Sequence, residues 1–120
     1  MVVDDSPGFV VNKILIPMIN SAAFVLSDKV ATAETIDSAM KLGTNHPIGP
    51  LALADLIGLD VCLKIMKEIN GRLEGFNFTI CPLIEKMVAE GNLGRKTGQG
   101  FFKYEKDDFN SKMSNMKKEV

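Results

Sequence analysis

The sequence has no tryptophan, one tyrosine, one histidine and two cysteines among 120 residues. Each scarcity excludes something. Cys62 and Cys81 are too few for a disulfide-stapled scaffold and belong to no metal or redox motif. They read as reduced thiols in a cytoplasmic protein, small residues of core or loop. His46 is the one candidate histidine base, yet it stands between Asn45 and Pro47 with no carboxylate spaced to orient its ring. A structural or solvated role is expected for it. One histidine and two distant thiols make no metal-ligand pattern, so no metal is expected.

Charge of one sign is also lacking. With 14 basic and 15 acidic residues the net charge is −1, which provides no field for nucleic acid or an anionic membrane. Uninterrupted hydrophobic runs are short. Phe9 to Leu26 tempts a membrane reading, but Asn12, Lys13, Pro17, Asn20 and Ser21 break it. Asp4 and Asp5 stand where a signal peptide would be basic. A soluble, cytoplasmic protein without nucleic-acid or membrane partners is the expectation.

What is present suits one domain: 46% apolar residues, 24% charged and seven methionines. At this length folding buries roughly two-thirds of the unfolded surface, enough for a core without staples. Ser6-Pro7 predicts a helix start, with a hydroxyl cap followed by a proline at the first helical position. The helix is expected to run to about Asp28. A turn of about 100° per residue places Asn12, Ile16, Ile19, Ala23 and Leu26 on one stripe and Lys13, Asn20 and Ser27 on a narrow polar strip beside it. Leu15, Met18, Ala22 and Val25 make the remaining circumference apolar, so burial on several sides or sharing with a second subunit is expected. Pro17 is expected to bend the helix.

A second helix is predicted from a Thr32 cap to a stop at Gly43, with Ile36, Ala39 and Met40 inward. Pro50 to Ile57, Asp60 to about Arg72 and Pro82 to about Gly91 follow as helices. The inward residues predicted for the Asp60 helix are Val61, Leu63, Ile65, Met66 and Ile69. Gly75 to Cys81 reads as a loop, and Gly94 to Tyr104 as a glycine-punctuated segment that could finish in one short strand. Glu85 and Glu90 read as solvent-facing charges. Residues 1–104 form the expected domain, and residues 105–120 a polar tail, a frayed helix or disorder.

Two motifs invite chemical readings. Gly91 to Gly100 lacks the glycine before Lys-Thr and the leading strand of a phosphate loop. No Gly-x-Gly-x-x-Gly follows a strand anywhere. No cofactor-binding residue is therefore assigned; positive φ in a tight connector is the leading reading, and an anion contact from Arg95 or Lys96 the lesser one. Asn12 is the second. A buried amide without a partner costs about 1–3 kcal/mol, so a backbone group, a symmetric copy or a ligand must meet it. A neutral amide donor also suits a substrate carbonyl in an apolar pocket.

Three blocks then carry a resemblance, in order: Asp5-Ser6-Pro7-Gly8-Phe9-Val10-Val11-Asn12-Lys13; Asp37 to Gly43 with His46-Pro47-Ile48-Gly49-Pro50-Leu51 and Asp55 to Asp60; and Leu93-Gly94-Arg95-Lys96-Thr97-Gly98-Gln99-Gly100-Phe101-Phe102. Over residues 4–104 the chain resembles the C-terminal domain of the 3-hydroxyacyl-CoA dehydrogenase family, most like its bacterial 3-hydroxybutyryl-CoA members. The resemblance implies an all-α, multi-helix dimerisation domain, similar to the C-terminal domain of 6-phosphogluconate dehydrogenase. It implies an acyl-CoA substrate, oxidised from 3-hydroxy to 3-oxo or the reverse, and a homodimer. NAD or NADP would be bound by a preceding Rossmann domain, which this chain lacks together with the family's catalytic His and Glu.

Asn12 would hydrogen-bond near the substrate's 3-oxygen, and Pro47, Ile48, Gly49 and Pro50 would line the acyl side of the pocket. His46 is not the family's base. The chain alone is expected to lack activity. A non-catalytic helical oligomerisation module is the rival reading, and the same domain of a dehydrogenase for another hydroxy acid or a longer acyl chain is a further one.

Overall fold

The computed structural model describes residues 7–72 and 78–104, with side chains at 10–71 and 78–104. The described residues hold five α-helices and one 3₁₀ turn: α1 Pro7–Ser27, α2 Ala33–Thr44, α3 Pro50–Ile57, α4 Leu59–Arg72, α5 Pro82–Ala89, and the turn Arg95–Thr97. The all-α expectation holds. The Ser6 cap, part of the Gly75–Cys81 loop and the 105–120 tail lie outside the described residues.

Local chemistry sets the boundaries. Thr32 Oγ1 accepts the Thr35 N–H at 3.2 Å and caps α2. Pro50 and Pro82 open α3 and α5, where a missing N–H is harmless. Gly58, at φ 105°, separates α3 from α4. Gly43, predicted to stop α2, instead lies within it, and Asn45 at φ 55° makes the left-handed exit. Asparagine tolerates that conformation better than other residues with a β-carbon. No strand forms in the Gly94–Tyr104 segment. It is closed by isolated bridges pairing Gly94 with Gln99 and Gln99 with Lys103.

α1 is the central post. Ile16, Ile19 and Ala23 are fully buried and pack with Ala54, Leu59, Cys62, Met66, Ile69, Cys81 and Ile84. A second cluster of Ala22, Ala33, Ile36 and Leu51 joins α1 to α2 and α3, and Phe101 packs against both clusters. Both cysteines are core residues, as expected. Burial pushes the Cys62 thiol up to about 12, with Asp60 and Asp55 adding to the effect.

Several predicted faces are corrected. On α2, Ala33, Ile36 and Asp37 are buried, while Ala39 is exposed and Met40 half-buried. On α4 the buried residues are Leu59, Cys62, Met66 and Ile69, whereas Val61 is 38% exposed. The larger correction concerns Asn20. It is buried, and its amide donates to Thr79 carbonyl at 2.7 Å and accepts the Cys81 N–H at 2.8 Å. Asn20 alone of its strip is drawn inward, because the 78–81 segment bonds both ends of its amide, while Lys13 is half-buried and Ser27 exposed.

By length and composition Val10–Ser27 could cross a membrane. Its Ile16, Ile19 and Ala23 are nonetheless packed into the core beside the bonded Asn20, the position of a core helix.

Candidate functional site

Burial along α1 falls off ahead of Ile16. Val10, Val11 and Ile14 are exposed, Asn12, Lys13 and Leu15 are half-buried, and Ile16 is the first fully buried residue. Asn12 lies one turn ahead of Ile16 on the inward stripe, at the point where that stripe leaves the core. Its amide has no hydrogen-bond partner among the described residues. It differs in this from Asn20, whose donor and acceptor are both committed to backbone.

The His46–Pro50 loop is built around a buried carboxylate. Asp37 on α2 accepts the N–H groups of Leu51 at 2.9 Å and Ala52 at 2.8 Å, satisfying two of the orphan donors at the start of α3. Gly49 sits against that side chain so closely that a β-carbon would overlap Asp37 Cγ. Its φ of −76° is open to any residue, so glycine is there for space. Pro50 is fully buried. Pro47, Ile48 and Gly49 line an open groove of about 430 Å³, together with Ser38 and Lys41 of α2, Arg95 and Tyr104. Glu34 is at the same groove, so its charge is mixed. Asn12 does not line it. Among the sequence-assigned site residues, three of the loop residues converge on one groove, Pro50 is withdrawn into the core, and Asn12 stands elsewhere. His46 is exposed, in keeping with the solvated reading.

A second buried carboxylate pins the Gly98–Tyr104 segment. Asp55, 1% exposed, accepts Phe101 N–H at 2.8 Å, Phe102 N–H at 2.9 Å and the Tyr104 hydroxyl at 2.9 Å. Burial pushes the Asp55 carboxyl above its ordinary value; the three hydrogen bonds pull it back, and the Asp37 charge pushes it further up. Desolvation wins in sum. A buried ion loses several kcal/mol of hydration, and hydrogen bonds to a charged group return roughly 1.5–3 kcal/mol each. Tyr104 answers in kind: burial first, then its bond to Asp55, hold the phenol up at about 12. The Arg95 guanidinium stands 5.5 Å from the Tyr104 ring centroid.

The glycine-rich segment is structural in most of its parts. Gly91, Gly94 and Gly98 all have positive φ, as its reading as a tight connector requires. Lys96 donates to Asp60 Oδ2 at 2.9 Å and lies 2.7 Å from Oδ1, which holds the Asp60 carboxyl below its ordinary value. That contact ties the segment to the start of α4 and takes Lys96 out of the anion reading. Sequence reasoning missed Asp55 and Asn20 because their partners are backbone groups 46 to 61 residues away. Glu85 and Glu90 are exposed, as expected.

No group of three or more potential metal ligands occurs among the described residues. Nor do those residues contain a sheet on which a dinucleotide could rest.

Comparison with known proteins agrees with the helical architecture and its motifs. Residues 8–104 match the family model for the 3-hydroxyacyl-CoA dehydrogenase C-terminal domain. The chain is 58% identical over 104 residues to a 3-hydroxybutyryl-CoA dehydrogenase of Clostridioides difficile, covering 87% of this chain and 37% of that relative. It is 53% identical over 103 residues to a probable 3-hydroxybutyryl-CoA dehydrogenase of Bacillus subtilis, covering 86% and 36%. The crystal structure of (S)-3-hydroxybutyryl-CoA dehydrogenase from Ralstonia eutropha superposes with a TM-score of 0.79 at 54% identity, over 85% of this chain and 36% of that one. The chain thus spans little more than a third of the length of these relatives. With the match running through nearly all of the described fold, the chain belongs to the 3-hydroxyacyl-CoA dehydrogenase family and carries its C-terminal domain.

Proposed function

We propose that this domain is the substrate-binding and dimerisation half of a 3-hydroxybutyryl-CoA dehydrogenase, which interconverts 3-hydroxyacyl-CoA and 3-oxoacyl-CoA with NAD or NADP. The observation that carries the proposal is the uncommitted amide of Asn12, half-exposed at the end of a core stripe and without a partner among the described residues. In this reading its N–H donates to the oxygen on the substrate's third carbon, favouring the carbonyl form without placing a full charge in the site. The family's His and Glu, which move the hydroxyl proton, and the dinucleotide site belong to a further domain. This chain alone is inactive. The Pro47–Pro50 loop is proposed to flank the acyl side.

A second copy of the chain is proposed to cover the outward stripe of α1. On a helical wheel Met18 and Val25 fall on the side opposite Ile16 and Ala23, and Val25 remains 37% exposed. A cytoplasmic enzyme is the setting in which two reduced core thiols are at home.

The test uses a full-length hybrid, in which this chain replaces the stretch it matches in the Clostridioides difficile relative. Asn12→Ala in that hybrid should lower kcat/KM for 3-hydroxybutyryl-CoA by at least about a hundredfold, the scale of a lost transition-state hydrogen bond. It should leave thermal unfolding unchanged. Undiminished turnover would reduce Asn12 to a bystander and favour the rival reading of a scaffold without chemistry.

A further inference from the structure

The groove beside α2 meets two cations that have no acidic partner. Lys41 on α2 and Arg95 on the 3₁₀ turn both line it, and neither makes an ion pair among the described residues. Of the carboxylates there, Asp37 is buried and committed to backbone, which leaves Glu34 alone against the two positive charges. Part of the lining is apolar. Ile48, Ala52 and Phe102 are half-buried and turn some of their surface to the groove, whose volume of about 430 Å³ has room for a large side chain. Tyr104 forms another part of the wall and is held twice, its hydroxyl donating to Asp55 at 2.9 Å and its N–H to the Gly98 carbonyl at 2.9 Å. From that fixed point the sequence continues Glu105-Lys106-Asp107-Asp108-Phe109.

We propose that the segment following Tyr104 returns into this groove, setting the Phe109 ring on Ile48, Ala52 and Phe102 and the Asp107-Asp108 pair against Lys41 and Arg95. Three observations select this occupant. The first is covalent reach: five residues span at most about 18 Å when fully extended, so Phe109 cannot stand farther than that from the groove wall at Tyr104. A segment tethered so closely meets the groove at an effective concentration of millimolar order, which a second copy matches only in concentrated solution. The second is charge. Residues 105–108 carry three acids and one lysine, the complement of a groove with two unpaired cations and one free carboxylate. The third is that Phe109 is the only aromatic residue beyond Tyr104, and Phe102 offers it an aromatic surface on which to pack. The family match stops at residue 104, so the segment lies outside the shared domain. Asn12 does not line this groove, and the proposal goes beyond the reading of the substrate site without resting on it.

The sequence has no tryptophan, so Phe109→Trp in the 120-residue chain supplies a single emitter at the proposed contact. Its emission should be blue-shifted relative to the unfolded chain. Acrylamide should quench it at least about fivefold less than in a companion that also carries Ile48→Asp, since burying such a side chain favours the docked state by about tenfold or more. Lys41→Glu should raise the quenching as well, and adding Asp107→Lys with Asp108→Lys should lower it again. An exposed, freely quenched emitter in the Phe109→Trp chain overturns the proposal. So does a shielded emitter that neither Ile48→Asp nor Lys41→Glu exposes, because it lies on another surface. Shielding that grows with protein concentration overturns it too, because the segment then fills the groove of a second copy. If circular dichroism shows that Ile48→Asp has lost its helices, the charge exchange decides: restored shielding supports the contact, and equal quenching across the charge variants overturns it. No turnover is read, so neither result touches the proposed activity.

Discussion

Gly100 lies against the carboxylate of Asp55 so closely that a β-carbon added to it would overlap Asp55 Oδ1. The same carboxylate receives the N–H groups of the next two residues, Phe101 and Phe102. A small residue and two consecutive donors thus fold the chain around one buried charge.

Gly100→Ala should therefore destabilise the domain by about 2–3 kcal/mol, the upper range for overpacking a tight site. Gly43 supplies the control. It lies inside α2, and a β-carbon added there would meet nothing within 4 Å, so Gly43→Ala should be neutral or stabilise by up to about 1 kcal/mol. Urea unfolding at neutral pH measures both. Equal midpoints for the two variants would mean that the segment shifts freely and the contact with Asp55 is unimportant.

The raised pKa of Asp55 fixes the sign of its pH dependence. A carboxyl that holds its proton more tightly in the fold than in the unfolded chain favours the fold most when protonated. Its contribution is full below the unfolded value of 3.8 and declines as pH rises from there to the raised folded value; above that it is constant. Asp55→Asn cannot accept from both N–H groups and should cost about 2–3 kcal/mol at neutral pH. The gap between wild type and variant should widen as the solution is acidified through that window. A gap that narrows instead would show that the carboxyl is held below its ordinary value in the fold.

Two asparagines on one helix should respond in opposite ways. Asn20→Ala leaves the buried Cys81 N–H without an acceptor, a loss of about 2–3 kcal/mol. Asn12→Ala removes no bond among the described residues and should change stability by less than about 0.5 kcal/mol. Thermal melts of the two variants decide. A large loss at Asn12 would place it with the structural amides.

Val25→Asp would put a charge into the surface assigned to the second copy. Its association should weaken at least tenfold, about 1.4 kcal/mol, as read by sedimentation across a concentration series. Unchanged sedimentation would move the contact between copies to another face.

Much of the fold was legible because its punctuation is local. Thr32, Pro50 and Pro82 act within one helical turn of themselves, and α3 has the predicted bounds. The buried polar groups were not legible, for a common reason. Asp37 and Asp55 carry no local signal of burial, and Asn20 reads as part of a polar strip, until distant backbone groups are brought to them. The signal available was indirect. Gly49 and Gly100 stand in family-like motifs, and in the structure neither has a positive φ; each leaves room for a carboxylate to approach. The inward stripe through Ile16, Ile19 and Ala23 was correctly phased, but periodicity cannot tell how far along a helix its burial extends.

The seclusion of Cys62 and Cys81 has a practical corollary. Both sulfurs are fully enclosed, and Cys62 gives up its proton only near the top of the alkaline range. A colorimetric thiol reagent should then stay silent toward the native domain and develop colour only as fast as individual molecules spring open. The rate of labelling would clock the opening of the core where α4 and the start of α5 pack on α1, without any added fluorophore, a useful property in a chain that has no tryptophan.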